Sequence, residues 1–156
     1  MSVIVVIPAY QAERHVRRVV ERVVSAGLED LSRIVIVNDG SRDGTRTEIE
    51  TLGALPCPLD HVERARNGGY GAAMKDGLER ARQHDPEIVA CVHADGQYGP
   101  EVLPELCAAL RSRRLDLLQG SRIASGTALA GGMPRYKYVA NAVLNRLENV
   151  TLVSGR

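Results

Sequence analysis

The stretch SVIVVIP, Ser2 to Pro8, is an unbroken apolar, largely β-branched run after its serine, halted by proline. A strand that keeps one face in water alternates apolar and polar positions. Ser2 to Ile7 offers no polar face, which predicts a strand covered on both sides, as in parallel sheets flanked by helices. Val16, Val19, Val20, Val23 and Val24 then fall at the spacing of an amphipathic helix. Arg14, Arg17, Arg18, Glu21 and Arg22 lie on its opposite face, and Gly27 is placed to stop it.

The alternation repeats. RIVIVNDGS carries a second buried strand from Ile34 to Val37, followed by a short helix to about Leu52 that Asp43 or Ser41 is expected to cap. Leu59 to Val62 is a weaker strand. NGGYGAAMKDGLERAR then opens on glycines and becomes a helix with Ala73, Met74, Leu78 and Ala81 inward. Glu87 to Val92 is a strand, and Pro100 opens a helix bearing Val102, Leu103, Leu106 and Leu110. A strand from Leu115 to about Gln119, a glycine-rich loop from Gly126 to Gly132 and a helix from about Pro134 to Leu147 complete the reading. Strands alternating with helices require parallel pairing, so the fold class is α/β: three layers, α/β/α, around a mostly parallel sheet.

Bulk properties narrow the function. The 156 residues suit one domain with one core, and 44% hydrophobic with 25% charged residues describes a globular protein in water. A formal charge of +1, from 20 basic and 19 acidic residues interspersed, gives no field for nucleic acid. Five tyrosines without Phe or Trp leave few stacking platforms for single strands. Cys57, Cys91 and Cys107 form no CxxC pair and are odd in number, which fits a reduced, cytoplasmic setting with Cys91 and Cys107 as small core residues. No apolar run approaches the roughly 20 residues of a membrane span. Met1 leads straight into a strand, without the pattern of a signal peptide.

Open parallel sheets bind ligands beyond the carboxyl ends of their strands. Pro8 to Tyr10, Asn38 to Ser41, His93 to Gln97 and Gly120 to Arg122 all follow strands and are expected along one edge. Within VNDGSRDGT, Asp39 suits a ribose hydroxyl or a base N–H, and Gly40 permits close backbone approach; a self-bonded turn explains the same residues. RNGGYGAAMK, Arg66 to Lys75, has the look of a phosphate-cradling loop at a helix N-terminus. It matches neither GxxxxGK[ST] nor GxGxxG, and taken alone it reads first as tight helix–sheet packing. In VACVHADGQYGP, Val89 to Pro100, alternate residues of an extended segment would turn His93, Asp95 and Gln97 toward one ion. Oxygen-rich donors suit Mg²⁺ or Mn²⁺, with the imidazole favouring Mn²⁺. The alternative is an Asx-type turn with His93 at the surface.

Taken together, IVVIPAYQAE, IVIVNDGSRDGT, NGGYGAA, HADGQY and GSR resemble, in order and spacing, glycosyltransferase family 2 with its GT-A, Rossmann-like fold. The resemblance runs from Val3 to about Arg122 and is strongest to the polyprenyl-phosphate (dolichyl-phosphate) mannosyl- and glucosyltransferase branch. It implies that Pro8, Tyr10 and Glu13 shape the nucleotide pocket and that Asp39 holds the base or ribose. Asn67, Gly71 and Ala72 would line the same pocket, with Ala94 also on the donor. HADGQ resembles the family's DADGQ, so His93, Asp95 and Gln97 would hold Mg²⁺ or Mn²⁺ against the donor diphosphate. Arg122 would offer a planar cation to phosphate. The implied reaction is inverting transfer of a hexose from a GDP- or UDP-sugar to a lipid phosphate or glycan at the cytoplasmic membrane face.

The departures from the family pattern carry chemistry. Gln11 stands where the family has Asn, Asn38 replaces a carboxylate, and His93 replaces the first Asp of DAD. The last change removes a negative charge from the ion's surroundings. Weaker cation affinity and stronger pH dependence follow, since a protonated imidazole cannot ligate. Family members run longer and carry an acceptor-side Asp in a segment like DxxSGFR, where this chain has Thr151 in NVTLVSGR. A general base is therefore unmatched. Either the acceptor is a phosphate, which needs little deprotonation, or the chain is a shortened, non-catalytic nucleotide-sugar-binding module lacking the acceptor part. The helix from Tyr136 to Leu147 faces either a core or a membrane.

Overall fold

Strand β1 (Val3–Ala9) is buried along its whole length, as its unbroken apolar run requires. The computed structural model describes residues 2–120 and 134–148. The chain forms two compact units, Met1–Leu115 and Asp116–Arg156. In the first, α1 (Val16–Ser25), β2 (Leu31–Asn38), α2 (Thr45–Glu50), β3 (Leu59–Glu63), α3 (Tyr70–Arg82) and β4 (Ile88–Cys91) follow β1. A 3-10 turn at Pro100–Val102 and helix α4 (Leu103–Ser112) come next; in the second unit lies α5 (Arg135–Glu148). The sheet order is β3-β2-β1-β4 and every pairing is parallel.

Both faces of β1 are covered. Val5, Ile7 and Ala9 pack with the α1 valines, Ile34, Ile36, Ile49 and Leu103. Ile4 and Val6 turn the other way, with Val35 and Val37, against Ala73 and Ala81 of α3. This is the three-layer arrangement expected of the sequence.

Three local expectations change. Leu78 points outward at 44% exposure, and Gly77 takes the inward place. A Cβ at Gly77 would stand 2.4 Å from Val6 Cγ1, so α3 lies too close to the sheet for any side chain there. The segment from Leu115 to Gln119 is no strand. Arg114 takes φ +50, its N–H reaches the Arg111 carbonyl, and Leu115 N–H reaches the Leu110 carbonyl. That is a Schellman ending for α4, with Arg114 in the left-handed position and Leu115 closing the motif, and Leu117 is left 82% exposed. Cys107 is buried as expected, whereas Cys91 is exposed at the end of β4. Asp43 meets the start of α2 by accepting from the Thr45 N–H and hydroxyl, but Ser41 accepts instead from the Gln11 N–H.

Away from the carboxyl edge, Asp60 of β3 is buried beneath cations. It accepts from Arg33, from Arg80 Nε at 2.6 Å and from His84 Nε2 at 2.9 Å, joining β2, β3 and the end of α3. Burial pushes the Asp60 carboxyl up, but the hydrogen bonds from His84 and Arg80 and the charge of Arg33 outweigh it and hold it below its ordinary value. A depressed carboxyl contributes stability above its unfolded pKa of about 3.9 and loses it as pH falls through the folded value. Asp60→Asn is expected to lose roughly 1–3 kcal/mol in urea unfolding at pH 7, discounted because Arg80 is partly in water. The gap from wild type should close below about pH 4; a gap independent of pH would count against this account.

Candidate functional site

The chain leaves β1 toward β2 on one side and returns to pair β4 on the other, so the sheet's switch point lies between β1 and β4. Pairing of these two strands ends at Val6 and Cys91, with one further bond from the Val92 N–H to the Val6 carbonyl. Pro8 lies on that same edge of β1, two residues on. Its missing N–H costs no ladder bond, because β4 has already turned away. The parting strands leave a hollow of about 150 Å³, lined by Pro8, Tyr10, Gln11, Ala12 and His15 after β1 and by His93, Ala94 and Asp95 after β4. Ligands of open α/β sheets enter at this position.

The His93 to Gln97 stretch is a turn, not the extended segment the alternation assumed. Gly96 has φ +70, its N–H faces the His93 carbonyl at 3.4 Å, and Asp95 Oδ1 accepts from the Gln97 N–H at 2.9 Å. His93 and Asp95 still reach the same hollow, while Gln97 is not in its lining. The His93 ring is stacked on Tyr70 with centroids 4.9 Å apart and tilted against Tyr98 at 5.2 Å. Burial and then the contact with Cys91, 3.7 Å away, push the Tyr70 phenol up to about 12, so it stays protonated.

The other pocket residues form a framework behind the hollow. Asp39 is 2% exposed, and its Oδ1 accepts from Arg64 Nη1 at 2.7 Å and from the Gly68 N–H at 2.9 Å. It thus draws the glycine-rich segment to the end of β2. Asn67 accepts from the Gly69 N–H just ahead of α3, with Gly71 and Ala72 in the first turn of the helix. Asn38, fully buried, donates to both oxygens of Glu63 at 3.0 and 3.1 Å. A carboxylate at 38 would repel that neighbour, which gives the departure at this position a physical reason. Glu13 turns from the hollow and accepts from the Gly44 N–H; Ala12 N–H donates to Thr45 and Glu13 N–H to Asp43. Arg122 lies outside the described residues. His15, which lines the same hollow, was missed in the sequence. Its one signal was its place just before α1, where the chain doubles back after Tyr10.

The donor set suits a shared ion better than a protein-only cage. Among the described residues, no three His, Cys, Asp or Glu side chains stand together as a metal site. Mg²⁺ and Mn²⁺ are commonly held by one or two protein groups with phosphate oxygens completing the sphere. Asp95 and His93, which both line the hollow, fit that mode.

This architecture is that of α/β proteins that take a ligand at the switch point of a parallel sheet. Residues 4–153 match the model of Glycosyl transferase family 2, and the chain belongs to that family. It is 35% identical over 120 residues to dodecaprenyl-phosphate galacturonate synthase of Rhizobium johnstonii, covering 75% of this chain and 35% of that protein. It is 30% identical to undecaprenyl-phosphate mannosyltransferase of Micrococcus luteus, covering 81% of this chain and 50% of that protein. Against dolichol-phosphate mannosyltransferase of Saccharomyces cerevisiae the identity is 24%, with 88% and 51% covered. The chain thus spans about a third to a half of the length of these relatives. The crystal structure of S. aureus TarS 1–349 shares the fold at a TM-score of 0.61 and 22% identity, over 73% of this chain and 33% of that one. The fold is GT-A.

Proposed function

We propose that residues 1–156 form a GT-A domain that binds a nucleotide-diphosphate sugar, the donor half of a glycosyltransferase that passes a hexose to a polyprenyl-phosphate acceptor. The observation that carries this reading is the convergence of His93 and Asp95 on the hollow between β1 and β4 in a family 2 chain. About 150 Å³ is less than the roughly 300 Å³ or more of most ligand sites, so it suits the diphosphate end of a donor rather than all of it. The nucleoside would lie toward Asp39 and Asn67, whose loop Gly40 and Gly68 hold close.

Asp95 and His93 would hold Mg²⁺ or Mn²⁺, which when bound neutralises the diphosphate and eases its departure. Arg122 of GSR would add a planar cation to the phosphates. An acceptor phosphate arrives already ionised, so direct, inverting attack on the anomeric carbon needs little help from a base. The curated relatives named above are lipid-phosphate sugar transferases by name, which supports that acceptor class. Among the described residues no helix is long and apolar enough to cross a membrane. Exposed Tyr136, Val139, Val143 and Leu147 on α5 suit contact with a lipid surface at the cytoplasmic face.

Calorimetric titration of GDP and UDP with Mn²⁺ tests donor binding. Binding of one of them, strengthened by the ion, is expected; a folded sample giving no heat with either would sink the reading. Transfer of radiolabelled sugar onto polyprenyl phosphate then separates an enzyme from a binding module.

A further inference from the structure

Beyond Cys91 the chain crosses to α4 through the turn that carries His93 and Asp95. From beneath, Arg22 of α1 donates Nη1 to the Gly96 carbonyl at 3.2 Å. The same guanidinium is forked onto Glu101 of the 3-10 turn, Nε to Oε1 at 2.7 Å and Nη2 to Oε2 at 2.9 Å. One planar cation therefore fastens the middle and the far end of this crossing to a single helix. Helix α1 is itself immobilised by four buried valines, Val16, Val19, Val20 and Val23.

Packing supports the clamp. A Cβ at Gly96 would lie 3.6 Å from Val19 Cγ2 and 3.8 Å from Arg22 Nη1, and one at Gly99 only 2.7 Å from Glu101 Oε2. Two hydrogen bonds within the turn are local: Gly96 N–H to His93 at 3.4 Å and Gln97 N–H to Asp95 at 2.9 Å. The stack of His93 on Tyr70 and the burial of Ala94 hold the start of the turn. Arg22 holds its middle, through a carbonyl one residue from Asp95. Glu101 also neutralises the guanidinium, so the clamp adds no positive charge to repel a cation.

We propose that Arg22, held in its fork by Glu101, is a positioning residue for the cation and diphosphate site: it sets where the Asp95 carboxylate stands without touching the ligand. The inference rests on the donor-binding reading above and names a residue for that same site. Lysine cannot replace it, since a single ammonium lacks the planar fork that meets a carboxylate and a carbonyl together.

The test is calorimetry of GDP and UDP on wild type, Arg22→Ala, Arg22→Lys and Glu101→Gln, each with Mn²⁺ and with a chelator. The quantity read is the ratio of the two affinities. Supporting groups behind metal ligands typically change metal affinity by 10–100-fold, so Arg22→Ala should cut the ratio about tenfold. Arg22→Lys should cut it nearly as much and Glu101→Gln less, with chelator affinities unchanged. A purely structural role would lower the melting temperature or weaken both affinities alike. Either result, or an undiminished ratio in folded Arg22→Ala, overturns the proposal. Should Arg22→Ala not fold, Arg22→Lys decides by the same ratio. Wild type whose nucleotide affinity ignores Mn²⁺ would instead overturn the donor-site reading, and this inference with it.

Discussion

Asp95→Asn should leave the domain folded and weaken Mn²⁺-dependent nucleotide binding by about a hundredfold or more, beyond what losing a supporting group costs. Asparagine is the informative replacement because it preserves the local geometry. Its side-chain oxygen still accepts from the Gln97 N–H, the bond Asp95 makes at 2.9 Å. The melting temperature should stay within about 2 °C, as for surface changes that break no buried contact. What is lost is charge. With His93 in place of a first carboxylate, Asp95 is, among the described residues, the single anionic side chain lining the hollow, and a neutral amide leaves the ion to the diphosphate and an imidazole. Calorimetry with Mn²⁺ and with chelator reads this directly, and a folded Asp95→Asn that keeps the Mn²⁺ enhancement would refute the cation role.

The sequence disclosed the elements whose physics is local and periodic. Val3 to Ile7 could be read as doubly covered because burial on both faces removes every polar position, and the α1 valines because one face of a helix must repeat. The edge of the sheet was legible for a related reason: polar residues directly after buried strands have nowhere else to go. Gly77 was invisible, since a hydrophobic pattern registers side chains and this position is selected for having none. Leu115 was misjudged because Arg114 supplies the left-handed cap that glycine usually signals. The turn at Ala94–Gly96 broke the alternation rule, which holds only while the backbone stays extended. The partners of the site residues, Arg64 for Asp39, Glu63 for Asn38 and Arg22 for Gly96, lie between 25 and 74 positions away. No local pattern encodes a pairing at that range.

Gly40 is where that long-range framework can be broken with one methyl group. Its φ is +64, and an added Cβ would lie 2.5 Å from the Arg66 carbonyl carbon, 2.6 Å from Asn67 N and 2.7 Å from Arg66 Cα. All three are backbone atoms, so no side chain can swing aside. A left-handed conformation costs a non-glycine residue roughly 1–2 kcal/mol. Separating two packed segments adds to that, and Gly40→Ala is expected to lose about 3 kcal/mol in all, or roughly 10 °C in melting temperature for a chain of this size. Relief of the clash must push Arg66 and Asn67 away from β2, which strains the Asp39 bonds to Arg64 and to the Gly68 N–H. Nucleotide affinity should therefore fall with chelator present as well as with Mn²⁺, the reverse of the Asp95 signature. Gly71→Ala is the matched control: nothing lies within 4 Å of its Cβ position and it sits in the first turn of α3. Alanine there should be neutral or stabilising by up to about 1 kcal/mol. If Gly71→Ala stays as stable as wild type yet loses nucleotide, that open space belongs to the ligand; if Gly40→Ala melts with wild type, close approach of the two loops is not what holds the pocket.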